Sequence, residues 1–272
     1  MEREHLRILM VGAHPDDCDI MTGGIAIKYS QLGHIVKFIS ATNGNAGHYK
    51  TGKDELAQIR LEESRLAGLT AGIEYQVLDI DDGNLEVNLF NRERFIKLIR
   101  DFNPDLIFTH RTNDYHPDHR NMGLLIQDSS YLVMVPNICP QVPCLKHQPV
   151  ILYMFDDFKK PNPIKPDVVI GIDSVFNKKA EMVNCHKSQF FEWLPWIDNE
   201  LQLVPESEAA RAQWLKEKLS GWDEAVAERY REKLIERYGQ EKGKQIKYAE
   251  AFEISEYGGT LPQNMLMKYF PF

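Results

Sequence analysis

Residues 6–24 read LRILMVGAHPDDCDIMTGG, and this stretch decides the fold. A short apolar run (6–12) ends at Gly12, a turn of His, Pro and two Asp follows, and helix-length sequence begins at once. The order is strand, loop, helix. The same alternation continues downstream. IVKFISAT (35–42), IEYQVLDI (73–80) and DLIFTH (105–110) are short, β-branched or aromatic, and bounded by turn residues, as buried strands are. Between them GGIAIKYSQLG (23–33), DELAQIRLEESRLAGLTAG (54–72) and NRERFIKLIRDFN (91–103) carry helical periodicity and close at Gly or at Asn-Pro. Strand–helix alternation predicts an α/β, Rossmann-like fold: a mostly parallel sheet with right-handed crossovers and helices on both faces.

Beyond these, PNICPQVPC (136–144) interrupts the pattern, VILYMF (150–155) and PDVVIGID (166–173) read as further strands, and a helix holds KKAEMVNCHKSQF (178–190). After about residue 190 the composition shifts to Trp, Glu, Lys and Arg. FFEWLPWID, AQWLKEKL and EAVAERYREKLIERYGQEKG predict a helical C-terminal region with aromatic anchors. The Trp-containing segment 190–245 is a candidate cover for a site. No repeat divides the 272 residues, so a single domain over 1–272 is expected.

Composition excludes several classes. The 32 Lys and Arg against 40 Asp and Glu leave a net charge of −8, unlike the basic face of a nucleic-acid binder. No apolar stretch approaches the roughly 20 residues of a membrane span. The opening MEREHLRILMVG passes straight into the first strand without a small-residue cleavage site, so it is not read as a signal peptide. Cys18, Cys139, Cys144 and Cys185 show no CxxC pairing and read as reduced thiols, which places the chain in the cytoplasm.

The chemistry concentrates at two strand ends, where open parallel sheets bind ligands. After the first strand stand His14, Asp16 and Asp17. Two buried carboxylates side by side repel each other unless a cation compensates. Taken alone, HPDD reads equally well as a polar turn capping the next helix. The second cluster alters that balance. RTNDYHPDH (111–119) follows the strand 105–110, and His116 and His119 share a face if a helix begins there. Histidines and a carboxylate at three positions, with room for water, are the composition of a catalytic zinc site, although other divalent metals accept the same ligands. The remaining histidines carry less. His5, His34, His147 and His186 lack a partner at ligand spacing, whereas His48 and His110 lie near strand ends and could line a pocket. Trp193, Trp196, Trp214 and Trp222 read first as anchors of surface helices and second as sugar-stacking rings.

With AHPDD at 13–17 and HPDH at 116–119, the chain resembles the LmbE-like (PIG-L) family of zinc-dependent N-acetylglucosaminyl deacetylases. Thr22-Gly23-Gly24, TNGNAG (42–47), IRLEE (59–63), SQF (188–190) and YAEAF (248–252) follow in matching order. The resemblance implies one zinc ion held by His14, Asp17 and His119. It makes Asp16 the general base towards the water that the metal activates. It sets His116 over the scissile carbonyl as an imidazolium supported by Asp118, and Arg60 against the sugar. The partner it implies is a small amino-sugar substrate, and it allows a homo-oligomer. Cys18 stands where many members have Glu, which leaves Asp19 to take part of that role. Two other readings stay open: an amidase for sugar–thiol conjugates or other acyl amides on this scaffold, and a non-catalytic sugar- or nucleotide-binding protein. Against the last, the chain has neither GxGxxG nor GxxxxGK[ST].

Overall fold

The computed structural model describes residues 5–272; residues 1–4 of the opening lie outside the described residues. Seven strands form one sheet in the order β3-β2-β1-β4-β5-β7-β6. They are β1 (Arg7–Gly12), β2 (Ile35–Thr42), β3 (Glu74–Ile80), β4 (Leu106–Thr109), β5 (Val150–Met154), β6 (Val168–Gly171) and β7 (Ala249–Ile254). The strands β1 to β5 pair in parallel, and β7 runs antiparallel between β5 and β6.

Side-chain alternation along β1 shows why the sheet is covered on both faces. Ile8 and Met10 pack with Phe38 and Phe108 under Ile25 and Tyr29 of α1 (Asp17–Gln31) and under α5 (Phe176–Val183). Leu9 and Val11 point the other way. They meet Phe95, Ile96 and Ile99 of α3 (Leu89–Phe102) and Met122, Leu125 and Ile126 of α4 (Pro117–Leu132). The helices α1 and α2 (Lys53–Ala71) carry the chain outward to β3, and α3 brings it back to β4 on the far side of β1. The strand order therefore reverses between β1 and β4, and the crevice at a reversal is where such sheets bind ligands.

Close approaches hold that crevice narrow. A Cβ on Gly12 would lie 2.7 Å from the Cβ of Asp17, and one on Gly123 of α4 would lie 2.6 Å from the carbonyl oxygen of His110. Both glycines let a helix press against the end of a strand. His116 caps α4: its Nδ1 accepts the Asp118 N–H (3.2 Å), with Pro117 at the first helical position.

The C-terminal region departs from expectation in one respect. It is helical through a π-helical turn (Gln189–Trp193), α6 (Leu194–Ile197), α7 (Glu208–Arg229), α8 (Arg231–Tyr238) and α9 (Gln240–Gln245), but the chain then re-enters the sheet as β7. Val226, Ala227, Leu234 and Ile246 pack on Val169, Ala249 and Ala251, so the helices lie on β6 and β7. No described helix is long and apolar enough to cross a membrane. The four cysteines are unpaired.

Candidate metal centre

The turn from β1 into α1 and the start of α4 bring His14, Asp17 and His119 side by side. His14 Nδ1 lies 3.2 Å from His119 Nε2 and 3.5 Å from Asp17 Oδ2, and His119 Nε2 lies 3.4 Å from Asp17 Oδ1. Ligands at the zinc bond lengths of about 2.0–2.1 Å stand about 3.3–3.4 Å apart along the edges of a tetrahedron. The separations among the three expected ligands are close to that value, with Asp17 presenting a different oxygen to each histidine. The groups close enough to share an ion are His14, His116 and His119, then Asp17, His110 and His119, then His14, Asp82 and Asp118. The second nitrogen of each imidazole faces carboxylates: His14 Nε2 lies 3.1 Å from Asp82 and 3.2 Å from Asp118, and His119 Nδ1 lies 3.1 Å from Asp114. A carboxylate behind a ligating histidine fixes its tautomer and its ring.

Electrostatics agree with that arrangement. Burial works to lower the His14 pKa, but Asp118, Asp17 and Asp82 outweigh it and hold the value well above the ordinary one. His119 is likewise raised to about 9, with Asp17 and Asp114 overcoming burial. Burial works to raise Asp17, yet His119 and His110 hold its carboxyl well below the usual range. The surroundings favour positive charge at the point where the three residues meet.

Asp82, Asp114 and His110 were absent from the expected site. His110 stacks on His119 (ring centroids 4.0 Å apart) with Nε2 3.1 Å from Asp17 Oδ2, as its place at a strand end allowed. Asp82 belongs to the run of acids after β3, a third strand end, and that run was the available signal. Asp114 sits inside the peptide RTNDYHPDH, but nothing in the spacing pairs it with His119.

Asp16 occupies an unusual conformation, φ 118° and ψ −29°, that a residue with a side chain adopts only under constraint. The constraints are visible. Its N–H donates to Tyr75 Oη (3.1 Å), Tyr75 donates to Asp19 (2.8 Å), and His186 Nε2 stands 3.1 Å from the other oxygen of Asp19. Asp19 therefore supports the backbone of Asp16 and touches none of the three ligands. Burial pushes the Asp16 carboxyl up to about 7 against the opposing charge of Arg60.

Two expected roles change. Arg60 is 1% exposed and donates to the Gly44 and Pro15 carbonyls (both 3.2 Å) and to Asp16 (3.3 Å). It stands buried behind Asp16, with its guanidinium directed at that carboxylate and not at open space. Asp118 does not support the His116 ring. Its carboxylate, fully buried, accepts the Gly83 and Leu85 N–H groups and faces His14. Only its backbone N–H touches His116. With His116 Nδ1 as the acceptor there, Nε2 is the ring nitrogen left to carry a proton, the arrangement of a neutral imidazole. Burial, and then His14 and His119, lower its pKa in the same sense. The His116 ring meets His14 edge to face at 4.5 Å, which keeps it at the centre. His48 stays apart, bound to Glu192 (2.8 Å).

A cavity of about 440 Å³ opens beside Asp17, His110 and His119, bounded also by Tyr115, Phe155 and residues 221–229 of α7.

Together these features define a Rossmann-like α/β protein with a candidate metal centre at the switch point of its sheet. Residues 9–129 match the family described as PIG-L, GlcNAc-PI de-N-acetylase. The chain is 28% identical over 204 residues to the diacetylchitobiose deacetylase of Thermococcus kodakarensis, covering 70% of this chain and 74% of that one. Among solved structures it shares its fold with the N,N′-diacetylchitobiose deacetylase of Pyrococcus horikoshii, at TM-score 0.72 and 23% identity over 93% of this chain and 85% of that one. It shares it equally with the 4-carboxy-2-hydroxymuconate hydratase of Pseudomonas putida, at TM-score 0.73 and 18% identity over 94% and 96%.

Proposed function

We propose that the chain is a zinc-dependent deacetylase that hydrolyses the amide of an N-acetylated amino sugar. The observation that carries this reading is the spacing of 3.2–3.5 Å among His14 Nδ1, His119 Nε2 and the Asp17 carboxylate, next to a carboxyl at Asp16 pushed up to about 7. The family match supports the substrate class. Zinc held by His14, Asp17 and His119 would lower the pKa of water and polarise the amide carbonyl.

The chain's own residues do the rest. Asp16 takes a proton from the attacking water, and a pKa near 7 suits a group that must be ionised at neutral pH and yet basic. The new C–O bond places charge on the former carbonyl oxygen, where the Nε2–H of neutral His116 donates a hydrogen bond. Asp16 then returns the proton to the nitrogen as the C–N bond breaks, releasing acetate and a free amine. Arg60 and Tyr75 act through Asp16, one on its carboxylate and the other on its N–H.

Because one fold neighbour is a hydratase, the deciding assay follows two reactions with the zinc-loaded protein. Acetate is measured on N,N′-diacetylchitobiose, N-acetylglucosamine and a sugar–thiol conjugate, and the addition of water to 4-carboxy-2-hydroxymuconate, an unsaturated tricarboxylate, is measured in parallel. Acetate from an N-acetyl sugar is expected. Turnover of the tricarboxylate alone would replace the reading with a hydratase.

A further inference from the structure

The cavity is larger than an acetamido group needs; 440 Å³ lies within the range of pockets that enclose whole small ligands. One of its walls is the last part of α7, and there Trp222 stands 47% exposed. The other tryptophans are occupied. Trp193 and Trp196 stack on each other, with Trp196 also flat on Tyr49, and Trp214 packs near Phe191 with Lys218 over its ring. None of those three lines the cavity. Trp222 thus keeps a large apolar surface wet inside a concave site, where a ring ligand would cover it.

Its position is not that of a loose surface ring. The next residue, Asp223, holds Lys179 Nζ with both oxygens (2.9 and 3.0 Å), and Lys179 lies 2.9 Å from Glu250. Glu250 in turn accepts the N–H groups of Gly24 and Ile25 in α1 (2.7 and 2.8 Å). This buried cluster ties the α7 wall to the helix that begins with Asp17, so Trp222 is set at a fixed distance from the metal ligands.

Charge narrows the ligand further. The two arginines in the lining are committed. Arg111 donates to both oxygens of Asp156 (2.6 and 2.5 Å) and to the carbonyls of Asn162 and Phe158. Arg229 pairs with Asp157 (2.5 Å) and lies over the Phe155 ring. The carboxylates outnumber the cations around the same space: Asp114, Asp156, Asp157, Asp223 and Glu250 stand against Arg111, Arg229 and the buried Lys179. A carboxylate on the ligand would find no uncommitted Lys or Arg among the described lining residues, and like charges facing each other act against binding. Sugar hydroxyls, by contrast, are donors that carboxylate oxygens accept.

We infer that the cavity takes the remainder of the substrate as an uncharged pyranoside with one ring stacked on Trp222, and that it discriminates against aglycones bearing carboxylates. The inference rests on the deacetylase reading and specifies its substrate. Its test has a kinetic and a binding arm. With zinc-loaded protein, kcat/KM is compared for N,N′-diacetylchitobiose and for an N-acetylglucosaminide of malic acid, in the unaltered chain and in Trp222→Ala and Trp222→Phe. Calorimetry with N,N′-diacetylchitobiose follows binding in the zinc-loaded Asp16→Asn background, with and without Trp222→Ala. Melting temperature and zinc content identify any variant that has not folded, and Trp222→Phe, which keeps a ring, then stands in for the alanine. The neutral disaccharide should be preferred by at least about tenfold. Trp222→Ala should raise its KM and its Kd by about tenfold (~1.4 kcal/mol), with Trp222→Phe between. An unchanged KM in Trp222→Ala, or equal turnover of the malate conjugate, overturns the inference and leaves the deacetylase reading intact. If no acetate is released but the disaccharide binds in a Trp222-dependent way, the deacetylase reading falls and the stacking site stands. If nothing is released and nothing binds, both fall.

Discussion

Asp114→Ala removes one carboxylate that serves two neighbours, the Nδ1–H of His119 at 3.1 Å and the N–H of His116 at 2.9 Å. The first contact matters for the metal. A hydrogen bond to a charged group contributes about 1.5–3 kcal/mol, which is about 10–100-fold in an equilibrium constant, and loss of a carboxylate behind a ligating histidine weakens metal binding over the same range. Zinc affinity should therefore fall by about 10–100-fold, with the fold retained because Asp114 lies in a loop outside the core. The pH dependence has a definite sign. Asp114 helps to hold the His119 pKa near 9, so its removal also lessens competition from protons at neutral pH. The loss should then be smaller near pH 7 than at alkaline pH. Asp114→Asn, which keeps an acceptor oxygen but no charge, should fall between. Competition with a chromophoric chelator at both pH values measures this, and an Asp114→Ala affinity equal to that of the unaltered chain at alkaline pH would refute the reasoning.

Asp16→Asn should keep zinc and lose about 10²–10⁴-fold in turnover, checked by metal analysis beside acetate release; near-normal turnover would mean that another group accepts the proton. Asp223 gives a prediction about stability. Burial pushes its carboxyl up to about 6 against Lys179, above its value in the unfolded chain. The protonated form is therefore the one that folding favours, and this contribution is present at low pH and lost as pH rises through about 6. Asp223→Asn cannot lose it, so the melting temperature of the variant relative to the unaltered chain should climb between about pH 4 and pH 7; a flat difference would contradict the shift.

Parallel strands declared themselves in the sequence because both of their faces are buried. RILMVG and LIFT are continuous apolar runs, and no neighbouring residue hides them. The strand β7 did not, because AEAFEI places Glu250 in the middle of the run and follows a long charged helical stretch. What makes that glutamate tolerable is Lys179, a residue of α5, together with two N–H groups of α1. Those partners are brought together only by the fold. The residues proposed as metal ligands stood out for the opposite reason: each comes from a short peptide at a strand end, and the resemblance spans both peptides. The residues around them were not. An arginine in an amphipathic helix does not announce whether it faces a cavity or a buried carboxylate, and Arg60 faces Asp16. His116 and Asp118 are two residues apart, which suggested a charge pair, but the helix cap aims the backbone of Asp118 at the ring and its carboxylate at His14. That contact fits a neutral donor at His116 and not the expected imidazolium.

The most direct measurement is a zinc titration of metal-free protein with acetate release from N,N′-diacetylchitobiose as the signal. The account predicts that activity rises linearly and breaks at one ion per chain, and that Asp17→Ala abolishes both the break and the activity. Acetate release that is independent of added zinc, or a full response in Asp17→Ala, would contradict it.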